Sequence, residues 1–276
     1  MELLDIYVGK VEEFVLAPIG DIQWTGSGEN VALDHLHEHI DECNKLGAHF
    51  IGMGDYIDLA SPSNRQRLRA AGVYDNVEQE LDRLSVELVE RLYSMVLEST
   101  AGRWLALLEG HHFWPLLSGQ TTDQLLAHML GTMHGGTSCM AQLHFSGPAG
   151  QHGSVRVWAH HGANRAAANP LSQLERKVFP HWQADVFLHG HTPCLSGMVK
   201  QGIAKVRDEL DHQEARLVST GGWAKAYVEG SRHGSVPRGD YAEQGLLPPA
   251  VIGAPLVFVY PRWKGEKWLP KIRVQF

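Results

Sequence analysis

Five short apolar runs in this sequence each break off into a carboxylate or an imidazole next to glycine, and that recurrence limits the folds open to the chain more than any other feature. Phe14 to Ile19 runs into Gly20-Asp21, and His49 to Met53 into Gly54-Asp55. Trp104 to Leu108 ends in Glu109-Gly110-His111-His112. Val155 to Trp158 leads to His160-His161-Gly162, and Val186 to Leu188 to His189-Gly190-His191. Continuous apolar runs of this length read as buried strands. Between them, Val31 to Leu46 and Val77 to Leu97 repeat apolar residues at helical spacing. Strands alternating with helices predict a largely parallel sheet, and such sheets gather their chemistry just past the strand ends.

After Pro193 the pattern changes. Leu195 to Val199, Ala215 to Ser219, Leu256 to Tyr260 and Trp268 to Val274 are predicted strands with no long helix between them. Gly230 to Pro255 reads as a long irregular loop, a kind of segment that is often functional. No repeat or interdomain linker interrupts the chain, so residues 1–276 are expected to form a single domain with a β-rich C-terminal part and a loop near 230–255.

Composition narrows the partners. A 43% hydrophobic fraction with 20% charged residues describes an ordinary globular chain with a substantial core. The net charge of −7 provides no global basic field for duplex nucleic acid. Cys43, Cys139 and Cys194 are far apart and form no C-x-x-C, which suggests reduced thiols. Met1 to Lys10 has no apolar core of a leader, and no run approaches the roughly 20 apolar residues that span a bilayer. The expectation is a cytoplasmic protein with no membrane partner.

Histidine, with 17 copies, stands out. Carboxylates and imidazoles without thiolate suit Mn, Fe, Zn, Ni or Co. Flanking glycines let the backbone turn sharply out of each strand, so that side chains from separate strands converge. A carboxylate such as Asp55 can bridge two cations at the roughly 3.5–4 Å used in two-metal hydrolysis. Each residue also has a plain structural reading. Asp21 and Asp55 suit turns, Asp58 suits a helix cap, and His111 and His112 could close a loop. Five such ends in one chain weigh against taking all of them that way. His35, His37 and His39 read as a solvated helix face, and Gly26-Ser27-Gly28 as a turn, since it lacks the lysine of a phosphate-binding loop. Arg65, Arg67 and Arg69 form a small basic cluster that reads as surface, although it is placed to reach a phosphate.

Taken in order, Asp21-Ile22-Gln23, Gly54-Asp55-Tyr56-Ile57-Asp58, Gly110-His111-His112, His161-Gly162 and Gly190-His191 resemble the motif series of the calcineurin-like metallophosphoesterases. The resemblance runs from Asp21 to His191. It implies a four-layer α/β/β/α sandwich with a dinuclear metal site at the strand C-terminal ends. It also implies two divalent metal ions, manganese before Fe, Zn, Ni, Co or Mg. By position, Asp21 and Gln23 would serve the first metal and Asp55 would bridge; His111, His161 and His191 would complete the second. His112 would be the general acid with Asp58 orienting its ring, and a hydroxide shared by the cations would attack phosphorus.

Three positions depart from the motif series. Gln23 stands for a histidine, His111 for an asparagine, and Pro193 for the second histidine of G-H-x-H, which shifts the first site towards oxygen donors. Of the neighbours, His160, Asn164 and Arg165 are the expected substrate contacts. The favoured substrate is a phosphodiester, nucleotide-like or single-stranded nucleic acid, with Trp223 and Tyr227 available for stacking. The tail around Thr220 to Tyr227 is loosely similar to that of some phage- and prophage-borne members. The rival reading is a catalytically inactive binding module with the same fold, motivated by the three departures and opposed by the retained Asp58 and His112.

Overall fold

A computed structural model describes residues 1–26, 28, 30–59, 75–163, 170–192, 194–206, 209–233, 235–239, 241–246, 249 and 251–276. Asn164, Arg165, Pro193 and the cluster Arg65, Arg67 and Arg69 lie outside the described residues.

In chain order the elements are β1 (Glu2–Gly9), β2 (Phe14–Ile19), α1 (Leu33–Lys45), β3 (His49–Gly52), α2 (Asp75–Leu92), β4 (Trp104–Leu107), α3 (Thr122–Met129), β5 (Ser138–Ser146), β6 (His152–His160), α4 (Pro170–Gln173), β7 (Val186–His189), β8 (Leu195–Val206), β9 (Glu209–Thr220), β10 (Arg232–His233), β11 (Val236–Pro237), α5 (Tyr241–Gln244), β12 (Leu256–Tyr260), β13 (Trp263–Lys264), β14 (Lys267–Trp268) and β15 (Lys271–Gln275). This is a mixed α/β fold with several sheets. A five-stranded sheet runs β15-β12-β2-β3-β4, and a six-stranded sheet runs β1-β5-β6-β7-β9-β8; β10-β11 and β13-β14 are two-residue ladders.

Alternation along the strands assigns each face to a core. On β2, Val15, Ala17 and Ile19 face a cluster with Leu36, Ile40 and Cys43 of α1, Leu88, Val89 and Leu92 of α2, and Leu126 and Ala127 of α3. Phe14 and Leu16 point the other way, into a second cluster with Val155, Val157, Ala159, Val186, Leu188 and Val218 of the six-stranded sheet. The far face of that sheet packs Trp158, Phe187 and Leu217 against Leu171 and Leu174. Strands buried on both faces need apolar residues at every position, hence their unbroken runs in the sequence. Each fully buried side chain of this kind contributes roughly 1.5–3 kcal/mol.

The expected largely parallel sheet is corrected to two mixed ones. β2, β3 and β4 are parallel, but β12 and β15 run antiparallel beside them. In the other sheet β5-β6 and β8-β9 are antiparallel hairpins, because connections this short cannot make a crossover. β1 and β5 have no counterpart among the predicted strands. β1 buries Leu4 and packs half-buried Ile6 and Val8 against the same core, with Leu3 and Tyr7 exposed between them, while β5 alternates Cys139, Ala141, Leu143 and Phe145 inward with mixed residues outward. The helical stretch predicted to Leu97 leaves α-geometry at Leu92 and closes with a π turn, Tyr93–Leu97. No described helix is long and apolar enough to cross a membrane.

Candidate metal centre

Beyond the ends of β2 and β3 the backbones remain paired. Met53 N–H donates to the Ile19 carbonyl at 2.8 Å, Asp21 N–H to Gly54 at 2.8 Å, Gln23 N–H to Asp55 at 2.9 Å, and Trp24 N–H to Tyr56 at 3.0 Å. Asp58 N–H then returns to the Trp24 carbonyl at 2.9 Å. To turn outward while staying paired, Asp21, Gln23 and Asp55 adopt φ of +48°, +51° and +56°, and across the site His191 adopts +64°. Left-handed backbone at a residue other than glycine costs on the order of 1–3 kcal/mol and persists where surrounding bonds over-determine it. Here they do: His191 N–H, for example, donates to Asp21 Oδ2 at 2.9 Å.

Asp55 divides its two oxygens. Oδ1 accepts the N–H of His111 and, at 2.9 Å, that of His112. Oδ2 is left facing His161 Nε2 at 3.4 Å. The approach is close enough that a Cβ on Gly110 would overlap Asp55 Oδ1 and N, so only glycine fits there. Burial would raise the Asp55 carboxyl, but the hydrogen bond and charge of His161, with the charge of His112, hold it well below the usual carboxylate range.

Three imidazoles meet this oxygen. His161 is fully buried, and its Nδ1 donates to the Met53 carbonyl at 2.6 Å. Its Nε2 is 3.0 Å from His111 Nδ1, which is 3.2 Å from His191 Nδ1. One donor atom from each of Asp55, His111, His161 and His191 lies within 4.8 Å of the others. Three nitrogens and one carboxylate oxygen converging at this spacing form a donor set that can hold a divalent transition metal ion. Burial lowers His191 to about 4, whereas His161, despite its burial, is lifted to about 9 by Asp55.

Asp21 lies beside this group, not within it. It is buried, and burial pushes its carboxyl up to about 7. Oδ2 holds His191, while Oδ1 is buried with no hydrogen-bond partner among the described residues. An orphaned buried carboxylate oxygen beside a metal-type cluster is suited to a cation. Gln23 is half-buried next to it, with its backbone N–H committed to Asp55.

His112 Nδ1 is 3.0 Å from Asp58 Oδ1, and its Nε2 is 3.9 Å from Asp55 Oδ2. Burial lowers its pKa, but the close Asp58 carboxylate and those of Asp55 and Asp21 outweigh it and the net direction is up. His160, on the outer face of β6, accepts the Gly162 N–H on Nδ1 at 2.7 Å, which leaves Nε2–H as its donor. His189 is buried and depressed to about 4 by that burial. Of the helix histidines, His35 is exposed, but His39 packs against Trp223 with ring centroids 5.3 Å apart.

Two residues with no place in the sequence reading hold the site together. Tyr56, buried, accepts the Gly54 N–H at 3.0 Å and donates to the Leu108 carbonyl at 2.9 Å, which ties two motif loops to one hydroxyl. Asp123, also buried, accepts the Gly110 N–H on Oδ2 at 3.1 Å. The pattern Thr121-Thr122-Asp123-Gln124 reads as a helix start, which accounts for an acidic residue there without any function.

No family model matches the chain, and no curated protein does. Among solved structures it is similar to Vacuolar Protein Sorting 29 from Cryptosporidium parvum, at 13% identity over 96% of this chain and 99% of that one, with a TM-score of 0.34. At that TM-score the likeness carries no argument about fold or function.

Proposed function

We propose that the chain is a metal-dependent phosphoesterase, a single domain of four α/β/β/α layers with two divalent cations at the strand C-terminal ends. The observation that carries this reading is the pairing of a four-donor cluster, Asp55, His111, His161 and His191, with a separate imidazole–carboxylate dyad, His112 and Asp58, one residue along the chain. A binding module needs the first and has no use for the second. The three apolar cores, each between neighbouring layers, support the sandwich.

In this reading Asp55, His111, His161 and His191 would hold one cation, and Asp21, Gln23 and Asp55 would hold the other, manganese being the favoured metal. The orphaned Asp21 Oδ1 supports the second position. Bound there, the cations supply Lewis acidity, which draws charge off the phosphoryl oxygens and makes a nearby water more acidic. The chain's residues do the rest. His112, its tautomer set by Asp58, gives a proton to the leaving oxygen. The Nε2–H of His160 is a donor for a non-bridging phosphoryl oxygen. Asn164 and Arg165 complete the proposed substrate contacts. A nucleotide-like or single-stranded phosphodiester is the favoured substrate, since the net charge of −7 disfavours bulk duplex.

The test is hydrolysis of bis-p-nitrophenyl phosphate and p-nitrophenyl phosphate by the full chain with Mn²⁺, Fe²⁺, Zn²⁺, Ni²⁺, Co²⁺ or Mg²⁺, followed by nucleotides and single-stranded DNA. Turnover that follows the metal supports the reading. A chain that binds metal and hydrolyses none of these is the inactive binding module.

A further inference from the structure

Three consecutive backbone N–H groups are all given to carboxylates, and the first goes to one outside the metal-type cluster. Those of His111 and His112 go to Asp55 Oδ1, and that of Gly110 goes to Asp123 Oδ2 at 3.1 Å. Asp123 lies in the first turn of α3 and is 1% exposed. Its neighbour grips the other end of the same segment: Trp114 N–H donates to Thr122 Oγ1 at 2.9 Å, and Thr122 N–H to the Trp114 carbonyl at 2.9 Å.

The helix does not need Asp123 to begin. Thr121 and Gln124 already form a reciprocal capping box, with the Gln124 N–H on Thr121 Oγ1 at 3.2 Å and the Thr121 N–H on Gln124 Oε1 at 3.0 Å. An acidic residue in a first turn ordinarily faces solvent or its own helix's amides. Asp123 is buried instead, with an oxygen committed to a loop 13 residues upstream.

We propose that Asp123 is a positioning residue for the metal centre. By holding the Gly110 N–H it sets the peptide planes that follow, so that His111 is presented to His161 and His191 while His112 reaches Asp58. Gly110 has no side chain of its own to restrain that turn, so the carboxylate takes over the role. The proposal rests on the metal-binding reading above. Just as a carboxylate on a ligand's ring nitrogen fixes the ring, this one on a backbone N–H fixes the turn that carries the ligand.

The experiment titrates Mn²⁺ calorimetrically into the full chain and into Asp123→Ala, Asp123→Leu and Asp123→Asn, with thermal unfolding of each and backbone amide exchange of the unsubstituted protein. Loss of the acceptor in the Ala and Leu variants should weaken Mn²⁺ binding about 10–100-fold. The Asn variant retains an oxygen for the Gly110 N–H and should bind close to the unsubstituted chain. A residue that only supported the fold would lower the melting temperature in all three without separating Asn from the others in affinity. Ala or Leu variants that fold and bind Mn²⁺ as tightly as the unsubstituted chain overturn the proposal. So does fast exchange of the Gly110 amide in the unsubstituted protein, a readout that needs no variant to fold. If the unsubstituted chain takes up no Mn²⁺ while that amide is protected, it is the metal-centre reading that falls.

Discussion

His161 Nδ1 donates to the Met53 carbonyl oxygen across 2.6 Å, which turns Nε2 towards Asp55 Oδ2, 3.4 Å away. The imidazole follows β6 of one sheet and the carbonyl follows β3 of the other. One hydrogen bond therefore sets the ring's orientation and joins the two sheets at the point where their metal-type side chains meet.

The first prediction concerns Asp55→Asn. The amide oxygen can still accept the N–H groups of His111 and His112, so the turn should survive. Its NH₂ would face His161, and the anion that attracts a cation is gone. Metal content measured by plasma emission and turnover should fall together, with affinity down more than about a hundredfold. Full metal content and full turnover in this variant would exclude Asp55 as a ligand.

His112→Ala separates acid from ligand. Metal binding should stay nearly intact, and hydrolysis should slow by about 10²–10⁴-fold on an alkyl or nucleotide ester, whose leaving oxygen needs a proton. On a nitrophenyl ester, which leaves unaided, the defect should be much smaller. Equal defects on both esters would place His112 on the phosphoryl oxygens. Metal loss would make it a ligand.

Gly110→Ala tests the close approach. The added methyl overlaps Asp55 Oδ1 and N, so the variant should lose metal binding and about 1–3 kcal/mol of stability. Gly202→Ala, where a Cβ meets nothing within 4 Å, is the control. Chemical denaturation and Mn²⁺ titration read both. Equal behaviour of the two variants would contradict the geometry.

A pH prediction comes from His39, away from the cluster. Burial depresses its imidazole from 6.5 to about 4. The unfolded chain takes up a proton here as pH falls below 6.5, and the folded chain does so only near 4. Stability is therefore lost on acidification through that window, at up to about 1.4 kcal/mol per pH unit for this group. His39→Leu also removes a buried Nε2 with no hydrogen-bond partner among the described residues, and its stability should decline less between pH 6.5 and 4.5. Urea midpoints that shift with pH equally in both proteins would refute it.

Much of the strand set and the metal-type residues could be read from the sequence because one physical cause produced both signals. Strands buried on two faces must be apolar throughout, and the glycines that let Asp55 and His111 converge stand next to them. Asp58 beside His112 followed from the same motifs. What escaped was set by contacts distant in sequence. β1 sets Leu4, Ile6 and Val8 against the core, but only Leu4 is fully covered and exposed Leu3 and Tyr7 blur the alternation, and the antiparallel hairpins depend on connection length, not on composition. Asp123 is invisible because its residue type already suits a helix start, and its partner Gly110 reveals nothing through a backbone N–H. Tyr56 is hidden for the opposite reason: an aromatic residue between two site aspartates reads as core filler, although its hydroxyl links two loops.

The backbone pairing between residues 19–24 and 53–58 uses carbonyls and amides alone. Any amino acid that tolerates the local angles leaves those bonds in place, so this stretch of the frame does not depend on side chains, unlike the turns held by Asp21, Asp55 and Asp123. A substitution that spares these amides and angles can therefore alter the metal-type cluster while the two strand ends stay joined.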